Sequence, residues 1–148
     1  MGTVNYTIYN MGPGNGIGVL WASMSTGSGS ADTGQAFPSS LDYALGSMLF
    51  SDKSIHAFDK TTGTVDTQIL IEGSNEMSQV DPTALTYATL SDAQGNALLF
   101  APTTSPRLEQ VLENCVFLRP RVTTISSTSM GMDVWMLITS NRSARGGM

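Results

Sequence analysis

The chain has 148 residues and a formal net charge of −5 at pH 7; 41% of its side chains are hydrophobic, 7% aromatic and 13% charged, against about 25% charged in an average domain. Eighteen Ser, seventeen Thr and fifteen Gly stand where charges are missing. Low charge with ample hydrophobicity argues against a disordered chain, and the shortage of Ala, Glu, Lys and Arg argues against a coiled coil. A β-rich domain fits this composition, because Thr suits a half-exposed pleated surface and Gly and Ser suit turns.

One cysteine, Cys115, excludes an intramolecular disulfide framework and a Cys-cluster zinc site. No apolar run approaches the ~18–20 residues of a membrane span, and MGTVNYTIYN lacks the basic-then-apolar pattern of a secretory signal. The acidic balance also disfavours nucleic-acid binding, which needs a basic footprint. Charge is uneven, however. Residues 1–114 hold 3 basic and 11 acidic side chains, whereas residues 115–148 hold Arg119, Arg121, Arg142 and Arg145 against Asp133.

In chain order, VNYTIY (4–9) alternates as a strand, with Val4, Tyr6 and Ile8 opposite Asn5, Thr7 and Tyr9. The Gly-rich MGPGNGIG (11–18) is a turn into a second strand, IGVLWASM (17–24), and STGSGSADTG (25–34) is a loop or linker. Residues 1–35 therefore form either a hairpin of the main fold or an extended arm on a neighbouring subunit. A β-sandwich domain follows over 36–142, and 143–148 is a flexible tail.

Within that domain, KSIHAFDK (53–60) sets Ile55 and Ala57 against His56 and Phe58, and D-K-T-T-G (59–63) is a turn. VDTQILIEGSNE (65–76) puts Val65, Thr67, Ile69 and Ile71 on one face; LTYATL (85–90) and ALLFA (97–101) flank the polar turn SDAQGN (91–96). Ser105-Pro106 followed by RLEQVLENC predicts a short helix over 107–115, with Leu108, Val111, Leu112 and Cys115 on one side. CVFLRPRVTTI (115–125) alternates again, and Pro120, which cannot donate a ladder hydrogen bond, predicts an edge strand or a bulge. GMDVWMLITSN (131–141) is the last strand, with Val134, Met136 and Ile138 opposite Trp135, Leu137 and Thr139. The expected fold is all-β, a β-sandwich or jelly-roll-like architecture of seven to nine short strands with at most one short helix.

No catalytic constellation emerges. His56 has no grouped metal ligands, Cys115 reads as a small core residue, and Glu109/Glu113 read as a solvated pair. GPGNGIG matches neither dinucleotide nor Walker spacing. The expectation is a protein that is not an enzyme, without metal or cofactor. Met130, Met132, Met136 and Met148, in the last 20 residues, suggest an adaptable interface.

Two stretches carry a resemblance: QILIEGSNEMSQVDPTALTYATLSDAQGNALLF (68–100), and EQVLENCVFLRPRVT (109–123) with DVWMLITSNR (133–142). A strand ending Glu72-Gly73-Ser74, an aromatic strand ending Thr89-Leu90, a turn with Asp92 and Gly95-Asn96, Glu113-Asn114, an Arg119-Pro120-x-Val122-Thr123 strand and a closing strand ending in Arg142 together resemble small virion proteins of tailed bacteriophages, of the capsid decoration (cement) type. Tyr87 stands where Trp is common in that pattern, and MSQVDPTA (77–84) lengthens one hairpin. The resemblance implies a β-sandwich made in the host bacterial cytoplasm, assembled as a homotrimer and bound to the major capsid protein on the virion surface. On this reading the expected interface residues are Tyr6, Tyr9, Trp21, Arg119 and Arg121. The alternative is a carbohydrate-binding β-sandwich on a head or tail fibre, with Trp21, Tyr87 and Trp135 as stacking platforms.

Overall fold

Strict alternation in the last strand sorts its side chains, and the computed structural model follows it: Val134, Met136 and Ile138 are buried, whereas Leu137 is exposed. The structure describes residues 5–10, 16–24, 33–39, 51–59, 68–78, 81–101, 106–124 and 132–140. The 59–63 turn beyond Asp59, Val4, Val65, Thr67, Ser105, Met130, most of the loop 25–34, Arg142, Arg145 and the tail lie outside these residues.

Nine strands occur among the described residues: β1 (Asn5–Asn10), β2 (Ile17–Met24), β3 (Ser51–Asp59), β4 (Gln68–Ser74), β5 (Ala88–Thr89), β6 (Leu99–Phe100), β7 (Arg107–Val111), β8 (Phe117–Thr124) and β9 (Met132–Ser140). They form two antiparallel sheets. One has the order β1-β2-β9-β3-β7; in the other, β4 pairs with β8 on one side and with β5 and β6 on the other. The β1–β2 hairpin is thus built into the larger sheet through β9. Its turn ends at Gly16, whose φ of 108° and close approach to the Ile138 carbonyl leave no room for a side chain.

The register makes the two faces of the five-stranded sheet explicit. One inward row runs Tyr6, Trp21, Val134, Ala57 and Arg107, and the next runs Ile8, Val19, Met136, Ile55 and Glu109. From these rows Trp21, Val19, Val134, Met136, Ala57 and Ile55 meet Ile69, Ile71, Phe100, Leu118 and Val122 of the smaller sheet in one shared core, while Ile8 at the β1 edge is exposed, so the chain is an all-β sandwich. Met24, Met132 and Met136 are fully buried in it, and these methionines fill the core instead of an interface.

β8 carries Pro120 at the edge of its sheet, and its pairing with β4 shifts register at Gln68/Ile69. Both features suit a strand with a missing donor. The free side of β8 is covered by 33–37: the Gly34 N–H donates to Pro120 O at 2.8 Å, and Phe37 and Leu118 exchange backbone hydrogen bonds at 2.7 and 2.9 Å. Such cover protects an edge from pairing with another chain.

The helix expected over 107–115 is not formed. Residues 107–111 are strand β7, antiparallel to β3, followed by irregular backbone. Leu108, assigned to the helix's apolar side, is 67% exposed. The physical reason is tertiary: the open edge of β3 offers Arg107–Val111 a ladder of backbone partners that outweighs local helix propensity. The expected strands over 85–90 and 97–101 contract to two-residue ladders on β4.

Candidate functional site

The residues of the E-G-S and R-P-x-V-T motifs come together across the β4–β8 ladder. Glu72 and Arg119 are directly paired in register, so their side chains leave the sheet on the same face. Arg119 Nε donates to Glu72 Oε2 at 3.0 Å, and Arg121 Nε donates to Glu72 Oε1. Glu72 is buried, and a buried carboxylate needs such donors. The Arg119 guanidinium also lies 3.7 Å above the centroid of the Tyr87 ring, a cation–π contact. The Tyr87 hydroxyl donates to Pro82 O at 2.7 Å. Burial raises the Tyr87 pKa above its ordinary value, with the positive Arg119 pulling the other way. Two guanidiniums on one carboxylate leave the cluster net positive on an acidic chain.

Gly73 of the same motif has a packing reason. A Cβ there would meet Cys115 Sγ at 2.5 Å and Leu90 Cδ2 at 3.0 Å, so the β4 backbone needs glycine to let Cys115 into the core. Cys115 is buried, and burial, then the nearby Glu113 charge, pushes its thiol pKa up.

The loop bearing Tyr87 is held by its own polar groups. Glu76 Oε2 accepts the Thr86 N–H at 2.6 Å and Oε1 accepts the Ser78 hydroxyl at 2.7 Å. Asp81 Oδ1 accepts the Thr83 N–H at 2.9 Å and caps the 3-10 turn Pro82–Ala84. These donors hold both carboxyls below their ordinary pKa values, the backbone N–H being the larger cause in each. In the SDAQGN turn the Asp92 carboxylate accepts the Gln94 and Asn96 N–H groups at 2.9 Å, with Gly95 at φ 84°.

The second surface is the outer face of the larger sheet. A row crosses all five strands through Thr7, Leu20, Trp135, His56 and Leu108. The adjacent row runs Tyr9, Gly18, Leu137, Ser54 and Gln110. Tyr9 and Trp135 lie with ring centroids 5.5 Å apart, and Tyr9, Leu108 and Leu137 are exposed. Beside them is an open groove of about 360 Å³ whose walls include Asp52, Ser54, Leu108, Gln110 and Leu137.

The five residues expected at an interface are therefore scattered. Tyr9 is exposed on the outer face, while Tyr6 packs half-buried against Trp21 at 5.9 Å between centroids. Trp21 is 1% exposed and its Nε1 donates to Gln35 O at 2.8 Å; it is a core residue that no partner or glycan reaches in this fold. Arg119 and Arg121 are committed to Glu72. Sequence reasoning missed Glu72 as their partner and the row through His56 and Leu108, both of which depend on cross-strand register.

Among the described residues no three His, Cys, Asp or Glu side chains are grouped to hold a metal, and no helix is long and apolar enough to cross a membrane. No family model, curated protein or solved structure matches this chain.

Proposed function

We propose that the chain is a structural protein of a bacteriophage virion that binds the outer capsid surface and stabilises it as a decoration (cement) protein. Its partners on this reading are the major capsid protein and two further copies of itself. The observation that carries the reading is the outer face of the β1-β2-β9-β3-β7 sheet, where Tyr9, Trp135, Leu137 and Leu108 form an apolar and aromatic surface. A surface of this kind suits a protein whose work is to be covered. The resemblance of residues 68–142 to small phage virion proteins supplies the lattice that covers it. A protein that binds the assembled shell better than free subunits stabilises that shell by mass action.

Co-sedimentation with virions of the phage that encodes the chain tests this. The wild-type chain pellets with the particles, and Leu108→Ser with Leu137→Ser weakens pelleting without loss of fold. Equal pelleting of that variant removes the outer face from the reading.

The Tyr9–Trp135 pair favours one second reading, a carbohydrate-binding sandwich on a head or tail fibre, since adjacent exposed rings are stacking platforms for sugars. Titration of tryptophan fluorescence with glycans separates the two, because only Trp135 lies on that surface.

A further inference from the structure

Arg119 and Arg121 stand at alternate positions of β8, on the side of the smaller sheet opposite the core residues Ile69, Ile71, Leu118 and Val122. This is the other outer face of the sandwich, away from Tyr9 and Trp135. Both guanidiniums reach Glu72 through Nε, one on each carboxyl oxygen. Among the described residues the Nη groups of both arginines carry no hydrogen bond. Both side chains keep contact with solvent, Arg119 over 19% and Arg121 over 35% of their surface. The Tyr87 ring lies against Arg119, and its hydroxyl is held by Pro82 O, so this guanidinium is set in place before any partner arrives. Asp81, whose charge also reaches Tyr87, accepts from Thr83 and pairs with neither arginine. Two positive groups thus share one negative group, and each has an unused edge.

We propose that this cluster is a receptor for one carboxylate of an acidic protein partner. An Asp or Glu side chain would bridge the Nη edges of Arg119 and Arg121 as Glu72 bridges their Nε atoms. Charge selects the ligand: one carboxylate brings two guanidiniums and Glu72 to neutrality, whereas a phosphate dianion overshoots. Geometry agrees, because a guanidinium edge presents two N–H groups in the fork that a carboxylate accepts. Since both Nε atoms meet one carboxyl group, the guanidiniums are neighbours that one further carboxyl group can span. Recognition is by side chains, since the backbone edge of β8 is already covered by 33–37. On a chain of net charge −5, a local positive cluster also orients an acidic partner that the rest of the surface repels. The inference does not rest on the virion reading. It places a polar docking point opposite the apolar face, so that the chain can join two surfaces.

Titration of the isotope-labelled full chain with a capped Gly-Gly-Glu-Gly-Gly peptide tests it, read by NMR on the Nε–Hε signals of Arg119 and Arg121. The Glu peptide is expected to shift both signals saturably and to leave that of Arg107 in place. The Gln counterpart should shift none, and inorganic phosphate should bind more weakly than the Glu peptide. Arg121→Gln retains the Arg119 contacts with Glu72 and Tyr87 and is expected to weaken peptide binding by about tenfold, the scale of a lost hydrogen bond to a charged group. Its unchanged backbone spectrum separates that loss from unfolding. Arginine signals of the wild-type chain that ignore the Glu peptide, or that move equally with the Gln peptide, would overturn the proposal. Tighter binding of phosphate would overturn the choice of carboxylate. The wild-type titration decides the matter whether or not the variant folds, and whether or not the chain sits on a virion.

Discussion

The Arg119 guanidinium is shared between a carboxylate and a ring: its Nε donates to Glu72 at 3.0 Å while its central carbon lies 3.7 Å over Tyr87. This joint links β4, β8 and the 75–87 loop through side chains alone. Removing Glu72 would leave two guanidiniums facing one another without a counter-charge. Glu72→Gln is expected to cost about 2–3 kcal/mol, the scale of buried hydrogen bonds to charged groups, read as a lower urea midpoint at unchanged slope. A double-mutant cycle between Arg119→Ala and Tyr87→Leu is expected to return a coupling of about 0.5–2 kcal/mol.

Gly34 and Gly95 make a paired test of packing against backbone conformation. A Cβ at Gly34 would meet Trp21 Cδ1 and Pro120 Cγ at 2.7 Å, both on rigid rings, whereas a Cβ at Gly95 meets nothing but sits at φ 84°. Gly95→Ala should cost about 1–2 kcal/mol from left-handed strain. Gly34→Ala should cost about 1–3 kcal/mol from overpacking and also shift the emission of Trp21. Thermal or urea unfolding gives the stabilities, and Gly95→Ala should leave Trp21 emission unmoved.

The loop carboxyls set an acid limb. Glu76 and Asp81 have folded-state pKa values below their unfolded ones, so between the two values the unfolded chain binds more protons. Their contribution to stability is complete above the ordinary carboxylate range and is lost as pH falls through the folded-state values. Unfolding free energy measured against pH should decline on that limb, and Glu76→Gln with Asp81→Asn should flatten it. An unchanged acid slope in the double variant would contradict the assignment.

The two tryptophans report different places. Trp21 is buried with its Nε1 bonded to Gln35 O, while Trp135 is half-buried on the outer face. With Trp21→Phe, acrylamide should quench the remaining emission readily; with Trp135→Phe it should quench poorly. On particle binding, quenching of Trp135 should fall and that of Trp21 should stay as it was.

The strands with clean period two were legible. β3, β4 and β9 appear where Ile55/Ala57, Ile69/Ile71 and Val134/Met136/Ile138 place them, because those alternate side chains all face the core. Lys53 stands one step back along the same parity as Ile55 and Ala57, so its inward position was readable; its charge hid it. β7 was not readable, since Leu108, Val111 and Leu112 stand at helical spacing and only the open edge of β3 overrides it. The partners of Arg119 and the row through Trp135 depend on register between strands distant in sequence, which no local pattern carries. Trp21 looked like a contact residue because an aromatic beside a Gly-rich loop suits an arm. Pairing of β2 with β9 makes it core instead.

Copy number and position on purified virions test the central claim most directly. Quantitative mass spectrometry together with a particle reconstruction should find the chain on the outer capsid surface, in trimers numbering on the order of the lattice threefolds. A few copies per virion, or density confined to a tail or the shell interior, would contradict the decoration reading.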